Sequence, residues 1–317
     1  MISVGHLLSL YVSFSYVAAL HLSFRGLNKL KKRRDDVRVI KSRIRRITII
    51  SLINLAIIPW VHSLISKGEV SFLDSLINLG VVPGLYVNGH CCRFDLSTFF
   101  RDLAHGIQII CTLYCGPLLD NLLCYVLTPG ESLSEMFSTV YNEVTNIWGF
   151  RNYVFAPVTE ELFYTSMVLN NYLTTQVSDS EHRSAIWITP FFFGLAHIHH
   201  AFELISTGLY SWTQVLTSAV FQVSYTVIFG IFTNIVFMAT GKNLWCCIVL
   251  HSFANYMGFP RGSGLEEHIL LARKRPNALV MVTSRVWKWC YLALLLVGFM
   301  SCFDQTKALL QQTLNTI

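Results

Sequence analysis

Long apolar runs are the feature that most restricts the fold of this chain. Several of them extend for about 18 residues or more, the length that an α-helix needs to cross the hydrocarbon core of a bilayer. Of the 317 residues, 53% are hydrophobic and only 13% are charged, whereas soluble domains carry roughly 25% charged residues. A large soluble helical domain would need a more charged surface. The sequence therefore predicts an all-α, polytopic bundle of transmembrane helices.

The predicted spans occupy most of the chain and leave no room for a separate soluble domain. A weaker apolar segment at 72–88 is broken by Pro83 and Gly84, so we expect that it does not cross the membrane completely. The chain is thus predicted to be one membrane domain over 1–317 with about eight spans. These spans are expected at about 4–24, 47–66, 107–127, 144–172, 185–202, 215–239, 244–257 and 286–302.

Two basic clusters predict the orientation of the bundle. Close to half of the 24 basic residues lie between Arg25 and Arg46, and a second cluster follows over 261–275. The first cluster contains no aromatic residue for base stacking, so we expect no nucleic-acid partner but contact with anionic membrane lipid. The positive-inside rule places both clusters in the cytosol and the N-terminus in the lumen. The first span lacks the pattern of a cleaved signal peptide and is expected to remain as a signal anchor.

Ionisable and amide side chains occur at four places within or directly after the apolar segments. Such side chains are costly inside a membrane and usually face the interior of the bundle, so they are candidates for function. His251 and Asn255 are four residues apart and should share one helix face. Together these side chains could supply a general base, a proton shuttle and an oxyanion donor, or they could form a network that only joins helices. The set comprises Glu160, Glu161, His197, His199, His200, Glu203, His251 and Asn255.

Metal and cysteine chemistry remain alternatives at this point. Glutamate and histidine side chains could bind zinc, although the chain has no H-E-x-x-H motif. Cys247 lies four residues before His251 on the same predicted face, but its neighbour Cys246 and the apolar surroundings favour a packing role for both. The nine cysteines include no C-x-x-C pair and predict neither a disulfide framework nor a zinc ribbon.

Three ordered motifs carry a family resemblance. They are "FAPVTEELFY" with Glu160 and Glu161, "FFFGLAHIHH" with His197, and "LWCCIVLHSFANYMGFP" with His251 and Asn255. The chain resembles the intramembrane CAAX-protease and bacteriocin-processing family. The longer strings "NIWGFRNYVFAPVTEELFYTSM" and "GKNLWCCIVLH" are similar to its eukaryotic branch, the type II CAAX prenyl endopeptidases.

The resemblance implies an endopeptidase of the endoplasmic reticulum membrane that removes the C-terminal aaX tripeptide from farnesylated or geranylgeranylated CAAX proteins, such as Ras-like GTPases and a mating pheromone precursor. It implies a catalytic core at about 146–258 with a conical cavity open to cytosol and lipid. Glu160 would be the general base for water, with Glu161 and His197 in support. His251 and Asn255 would stabilise the oxyanion. The family is glutamate-dependent, so the resemblance implies no metal and no cofactor.

Three other functions are weighed against this one. A zinc-dependent intramembrane protease would use the same carboxylates and histidines as ligands. A proton-coupled transporter would relay protons through them, but such a transporter more often shows an internal repeat, and the sequence has none. A non-catalytic membrane scaffold would tolerate Glu160→Ala. Arg151 could bind the terminal carboxylate of a substrate, or it could be an interfacial arginine that reaches the head groups.

Overall fold

The computed structural model describes residues 4–21, 35–67, 69–88, 91–127, 132–175, 179–265, 267 and 278–316. Arg273, Lys274, Arg275 and the basic residues of 25–34 lie outside the described residues. The elements are α1 (Val4–His21), α2 (Val37–Ile65), α3 (Phe72–Asn78), β1 (Leu85–Asn88), β2 (Cys91–Phe94), α4 (Leu96–Leu113), α5 (Cys115–Leu127), α6 (Leu133–Thr145), α7 (Ile147–Gly149), α8 (Ala156–Glu160), α9 (Val168–Thr175), α10 (Asp179–Ile188), α11 (Pro190–Ala196), α12 (His199–Thr207), α13 (Trp212–Ala239), α14 (Leu244–Met257) and α15 (Ala278–Thr316). Two π-helical segments, Phe150–Phe155 and Glu161–Met167, join α7, α8 and α9 into one continuous rod.

Four helices in the described ranges are long and apolar enough to cross a membrane, or five if α4 and α5 together form one span. This is the architecture of a helical multi-pass membrane protein, as the sequence predicts. The expected number of eight spans is not confirmed by helix length alone, and it stays a prediction. The four long helices are Val4–His21, Val37–Ile65, Trp212–Ala239 and Met281–Asn315.

The span predicted at 107–127 is bent in the structure, and whether it crosses the membrane stays a prediction. Helices α4 and α5 meet at an angle of 75°. Pro117 explains the break, because proline has no N–H to donate to the carbonyl of Leu113 and its ring clashes with that carbonyl. The bend packs closely against α15, where a Cβ on Gly298 would clash with the carbonyl oxygen of Thr112. A small residue is therefore needed at position 298.

The segment 72–88 is short, as its Pro-Gly break predicts. Helix α3 has seven residues, and about 1.5 Å of rise per residue is far too little to cross the membrane. It leads into an antiparallel hairpin that the sequence analysis does not predict, in which Leu85 pairs with Phe94.

The predicted span at 185–202 is also divided, into α10, α11 and the start of α12.

The buried core surrounds the rod that contains the glutamates. Phe163, Met167 and Tyr172 of the rod are fully buried, and they belong to the same apolar cluster as residues of α1, α13 and α14. Cys247 lies in this core and donates its thiol to the carbonyl of Thr233 at 3.4 Å. That contact agrees with the predicted packing role for this cysteine.

Candidate active site

The two glutamates lie where the rod changes its helical winding. Glu160 is the last residue of α8 and Glu161 is the first residue of the second π-helical segment. Pro157 is the second residue of α8 and supplies no N–H, and just before it the N–H of Ala156 bonds to the carbonyl of Arg151, five residues back. Single π-helical turns are frequent at functional sites. Adjacent residues on a helix point about 100° apart, and the two glutamates have different neighbours.

Glu161 is sealed inside the bundle. It is 0% exposed, and its carboxylate accepts a hydrogen bond of 2.6 Å from Thr165 Oγ1. The Nδ1 atom of His251 donates to its other oxygen at 2.7 Å. Both contacts hold the carboxylate inside the bundle, and Glu161 does not line the cavity.

Glu160 faces a cavity of about 490 Å³. Its side chain is 17% exposed, and Oε2 lies 3.6 Å from His251 Nε2. This distance is too long for a direct hydrogen bond, but a water molecule can bridge two such atoms. His251 thus lies between the carboxylates, with one ring nitrogen directed to each.

The histidines of the second motif are held in different directions. His197 lines the cavity, and its Nδ1 atom lies 2.9 Å from the carbonyl of Phe193. Because a carbonyl only accepts, Nδ1 carries the hydrogen and Nε2 is the acceptor in the neutral ring. His199 turns away from the cavity towards α1, with its ring centroid 5.3 Å from that of His21. This orientation of His199 is the one that helical spacing predicts.

His200 is one of the candidate side chains of the sequence, although the family motif gives it no role, and it is a cavity residue. It lines the cavity beside His197, and its Nδ1 atom lies 3.4 Å from Glu203, which forms a 3.0 Å ion pair with Arg43 of α2. His197 and His200 are three residues apart, and residues at this spacing share a helix face. Glu203 therefore connects the cavity wall to the basic end of α2.

Asn255 lines the same cavity as His251, as their spacing predicts, and its amide donates to the carbonyl of Asn152 at 3.1 Å. Arg151 forms a 3.0 Å ion pair with Asp35 and donates Nε to the side chain of Asn152 at 2.9 Å. Arg151 does not line the cavity itself, but it contacts Asn152, which does.

Aromatic residues form two further features of the site, to which the sequence analysis assigns no role. Phe221 and Phe259 form an aromatic edge of the cavity, with ring centroids 5.5 Å apart. The ring of Tyr164 stacks on Phe193 at 4.9 Å, and its buried hydroxyl has no hydrogen-bond partner among the described residues.

Within the described part of the chain, no group of three His, Cys, Asp or Glu side chains is arranged to hold a metal ion.

Comparisons with known proteins agree on one family. The profile described as "Type II CAAX prenyl endopeptidase Rce1-like" matches residues 142–257. The chain is 40% identical over 306 residues to CAAX prenyl protease 2 of Saccharomyces cerevisiae, covering 96% of this chain and 95% of the relative. It is 29% identical over 270 residues to CAAX prenyl protease 2 of Homo sapiens, covering 84% and 74%. The probable CAAX prenyl protease 2 of Schizosaccharomyces pombe is 24% identical over 255 residues, covering 80% and 81%. No solved structure matches the chain.

Proposed function

This chain belongs to the type II CAAX prenyl endopeptidases and is a multi-pass membrane protease of prenylated CAAX proteins, and we propose that Glu160 is the general base that activates its hydrolytic water. The observation that carries the proposal is the unequal placement of the two glutamates. Glu160 borders the cavity, whereas Glu161 is 0% exposed. A general base must reach the water that it deprotonates, and this condition favours Glu160.

In the proposed reaction, a water molecule binds between the carboxylate of Glu160 and His251 Nε2. Glu160 takes one proton from the water, and the resulting hydroxide forms a bond to the carbonyl carbon of the prenylated cysteine. The C–N bond of the tetrahedral intermediate then breaks. The proton on Glu160 moves to the leaving amine, so the tripeptide aaX departs and the glutamate is charged again. No other reactant is needed.

The remaining site residues have supporting roles in this proposal. Glu161 holds the Nδ1–H of His251, so Nε2 is directed into the cavity, in the way that a buried carboxylate orients the histidine of a catalytic triad. When His251 is protonated, Nε2–H can donate to the oxyanion. The amide of Asn255 offers a second donor nearby, and His197 Nε2 offers an acceptor for a water proton.

We propose that the cavity opens to the cytosol. The ion pair between Arg43 and Glu203, with His200 beside it on the cavity wall, supports this orientation. Arg43 lies at the basic end of α2, which the positive-inside rule assigns to the cytosolic side. An active site in the endoplasmic reticulum membrane that faces the cytosol would meet CAAX proteins after their prenylation.

The substrate is proposed to bind with its isoprenyl chain in lipid and its peptide in the cavity. Phe221 is 52% exposed and Phe259 is 70% exposed, so the aromatic edge can contact both the bilayer and a farnesyl or geranylgeranyl chain. No nucleic acid is expected to take part. The polar wall of Glu160, His197 and His251 would then meet the peptide bond that follows the prenylated cysteine.

The direct test uses purified protein in liposomes and a farnesylated Cys-a-a-X peptide. We expect release of the aaX tripeptide, detected by mass spectrometry, with no release from the same peptide without its prenyl group. Glu160→Gln should bind the peptide without cleaving it. A Glu160→Gln protein that cleaves as fast as the unchanged protein would overturn the assignment of the base.

A further inference from the structure

Tyr16 brings a hydroxyl to the proposed base from the first helix, far from the motifs in sequence. Its side chain is buried, with 4% exposure, and its Oη atom lies 3.2 Å from Thr159 Oγ1 and 3.5 Å from Glu160 Oε1. Tyr16 lies outside the range 142–257 that matches the family profile. The contact with Glu160 is long for a hydrogen bond, but such bonds in an unliganded active site often tighten when substrate binds.

The hydroxyl of Tyr16 has one hydrogen to donate and two possible acceptors, Thr159 and Glu160. Thr159 has one hydroxyl hydrogen, and it is directed to the carbonyl of Phe155 at 2.9 Å, with that of Ala156 at 3.2 Å. Thr159 Oγ1 is therefore the acceptor in its contact with Tyr16. The single hydrogen of Tyr16 can point to Thr159 or to Glu160, and only a rotation about the C–O bond separates the two states.

The ring of Tyr16 is fixed, so its oxygen stays in place during that rotation. Phe163 packs edge-on against it with ring centroids 4.9 Å apart, and Tyr164 does so at 5.5 Å. Edge-to-face pairs of this kind favour one ring orientation. Because the oxygen of Tyr16 stays in place, its hydrogen can change acceptor when the charge of Glu160 changes, without movement of the ring.

We propose that Tyr16 is a positioning residue for the base, donating its hydrogen to Glu160 while the carboxylate is charged and to Thr159 after Glu160 has taken a proton from water. This inference rests on the proposed role of Glu160. A hydrogen bond to a charged acceptor is stronger than one to a neutral acceptor, so the charged carboxylate of Glu160 is the preferred acceptor for the hydroxyl of Tyr16. Once Glu160 is protonated it is a weaker acceptor, and the hydroxyl of Tyr16 donates to Thr159 instead.

Other groups also act on Glu160, and the test must separate Tyr16 from them. Glu161 adjoins it on the rod, His251 faces it from α14, and His200 faces it from α12. The hydroxyls of Tyr164 and of Tyr225 on α13 are near enough to be affected by its charge. All of these groups remain in a Tyr16→Phe protein, so a change in its pH profile reports on the one hydroxyl that was removed.

The experiment compares pH profiles of kcat/KM for the unchanged protein, Tyr16→Phe, Thr159→Val and Tyr11→Phe, all with a farnesylated Cys-a-a-X peptide in liposomes. Losing a donor to the charged form should move the acidic limb of Tyr16→Phe to higher pH by about 0.5–1 unit, with kcat lowered about 3–10-fold. Tyr11 lies on the same helix with an exposed ring, and Tyr11→Phe should leave the profile unchanged. Thr159→Val removes the competing acceptor, so its acidic limb should not move to higher pH.

The outcomes distinguish this inference from the proposed function. If Tyr16→Phe keeps the acidic limb and kcat of the unchanged protein, Tyr16 does not act on the base. A purely structural contact between Tyr16 and Thr159 would give the same upward shift in both variants, and this result would also overturn the inference. Thermal unfolding of each variant checks that the helix is still packed. An active Glu160→Gln protein would instead show that the proposed base is wrong.

Discussion

His251 and Glu161 form a buried pair in which the ring nitrogen Nδ1 lies 2.7 Å from a carboxylate oxygen. The pair joins α14 to the rod that contains both glutamates, and it fixes the direction of the opposite ring nitrogen. That nitrogen faces Glu160 at 3.6 Å. The buried pair therefore determines which part of the imidazole reaches the cavity.

The two glutamates should differ in their response to the same substitution. Glu160→Gln removes the proposed base and should lower single-turnover cleavage by about 10³-fold or more. Glu161→Gln keeps an acceptor for His251 Nδ1–H but loses the charge, so we expect a smaller loss of about 10–100-fold. Rapid-quench measurements on a farnesylated peptide check both values. Equal losses would show that burial does not separate the two roles.

The three histidines of the second motif should rank by their position. His197→Ala is expected to lower kcat about 10²-fold because a cavity-lining imidazole is lost. His199→Ala should cost only a few-fold, since this ring faces His21. We expect His200→Ala to cost less than His197→Ala, because His200 is directed towards Glu203. A His199→Ala protein as impaired as His197→Ala would contradict this arrangement.

Chelators should leave the purified enzyme active. If Glu160 acts on water without a metal ion, treatment with EDTA or phenanthroline should not change the initial rate, and mass spectrometry should find no stoichiometric metal. A zinc-dependent mechanism predicts the opposite result, because the metal would lower the pKa of its bound water. Loss of activity on zinc removal, with recovery on zinc addition, would replace the proposed mechanism.

Both basic loops should face the cytosol. The bias of Lys and Arg in short loops sets membrane orientation, so single cysteines placed in 25–46 and in 261–275 should be labelled from the cytosolic side of sealed microsomes. Glycosylation tags in the same loops should remain unmodified. Lumenal labelling of either loop would overturn the count of about eight spans.

Asp120 should stabilise the loop that follows α14. Its carboxylate accepts hydrogen bonds from Ser263 Oγ at 2.6 Å, from the N–H of Gly264 at 3.0 Å and from Trp287 Nε1 at 2.7 Å. Asp120→Ala leaves these donors without their acceptor, and we expect a loss of about 3 kcal/mol in unfolding free energy. Thermal unfolding in detergent measures it, with exposed Asp304→Ala as the matched control. Equal midpoints for the two variants would show that the contacts are not needed.

Sequence alone determined the membrane class and the set of polar side chains, because both depend on local patterns. An apolar run of sufficient length has few stable alternatives to a membrane helix. The spacing of His251 and Asn255 also placed both on the cavity wall, since four residues make about one turn.

Only the tertiary structure decided which glutamate borders the cavity and which is sealed behind it. Periodicity assumes a regular α-helix, whereas the rod changes to π-helical winding at Glu161. Tyr16 contacts Glu160 across a separation of 144 residues, and no local pattern encodes a contact between helices so far apart in the chain. Such contacts arise from the packing of α1 against the rod, which fixes the neighbours of each carboxylate and therefore its chemistry.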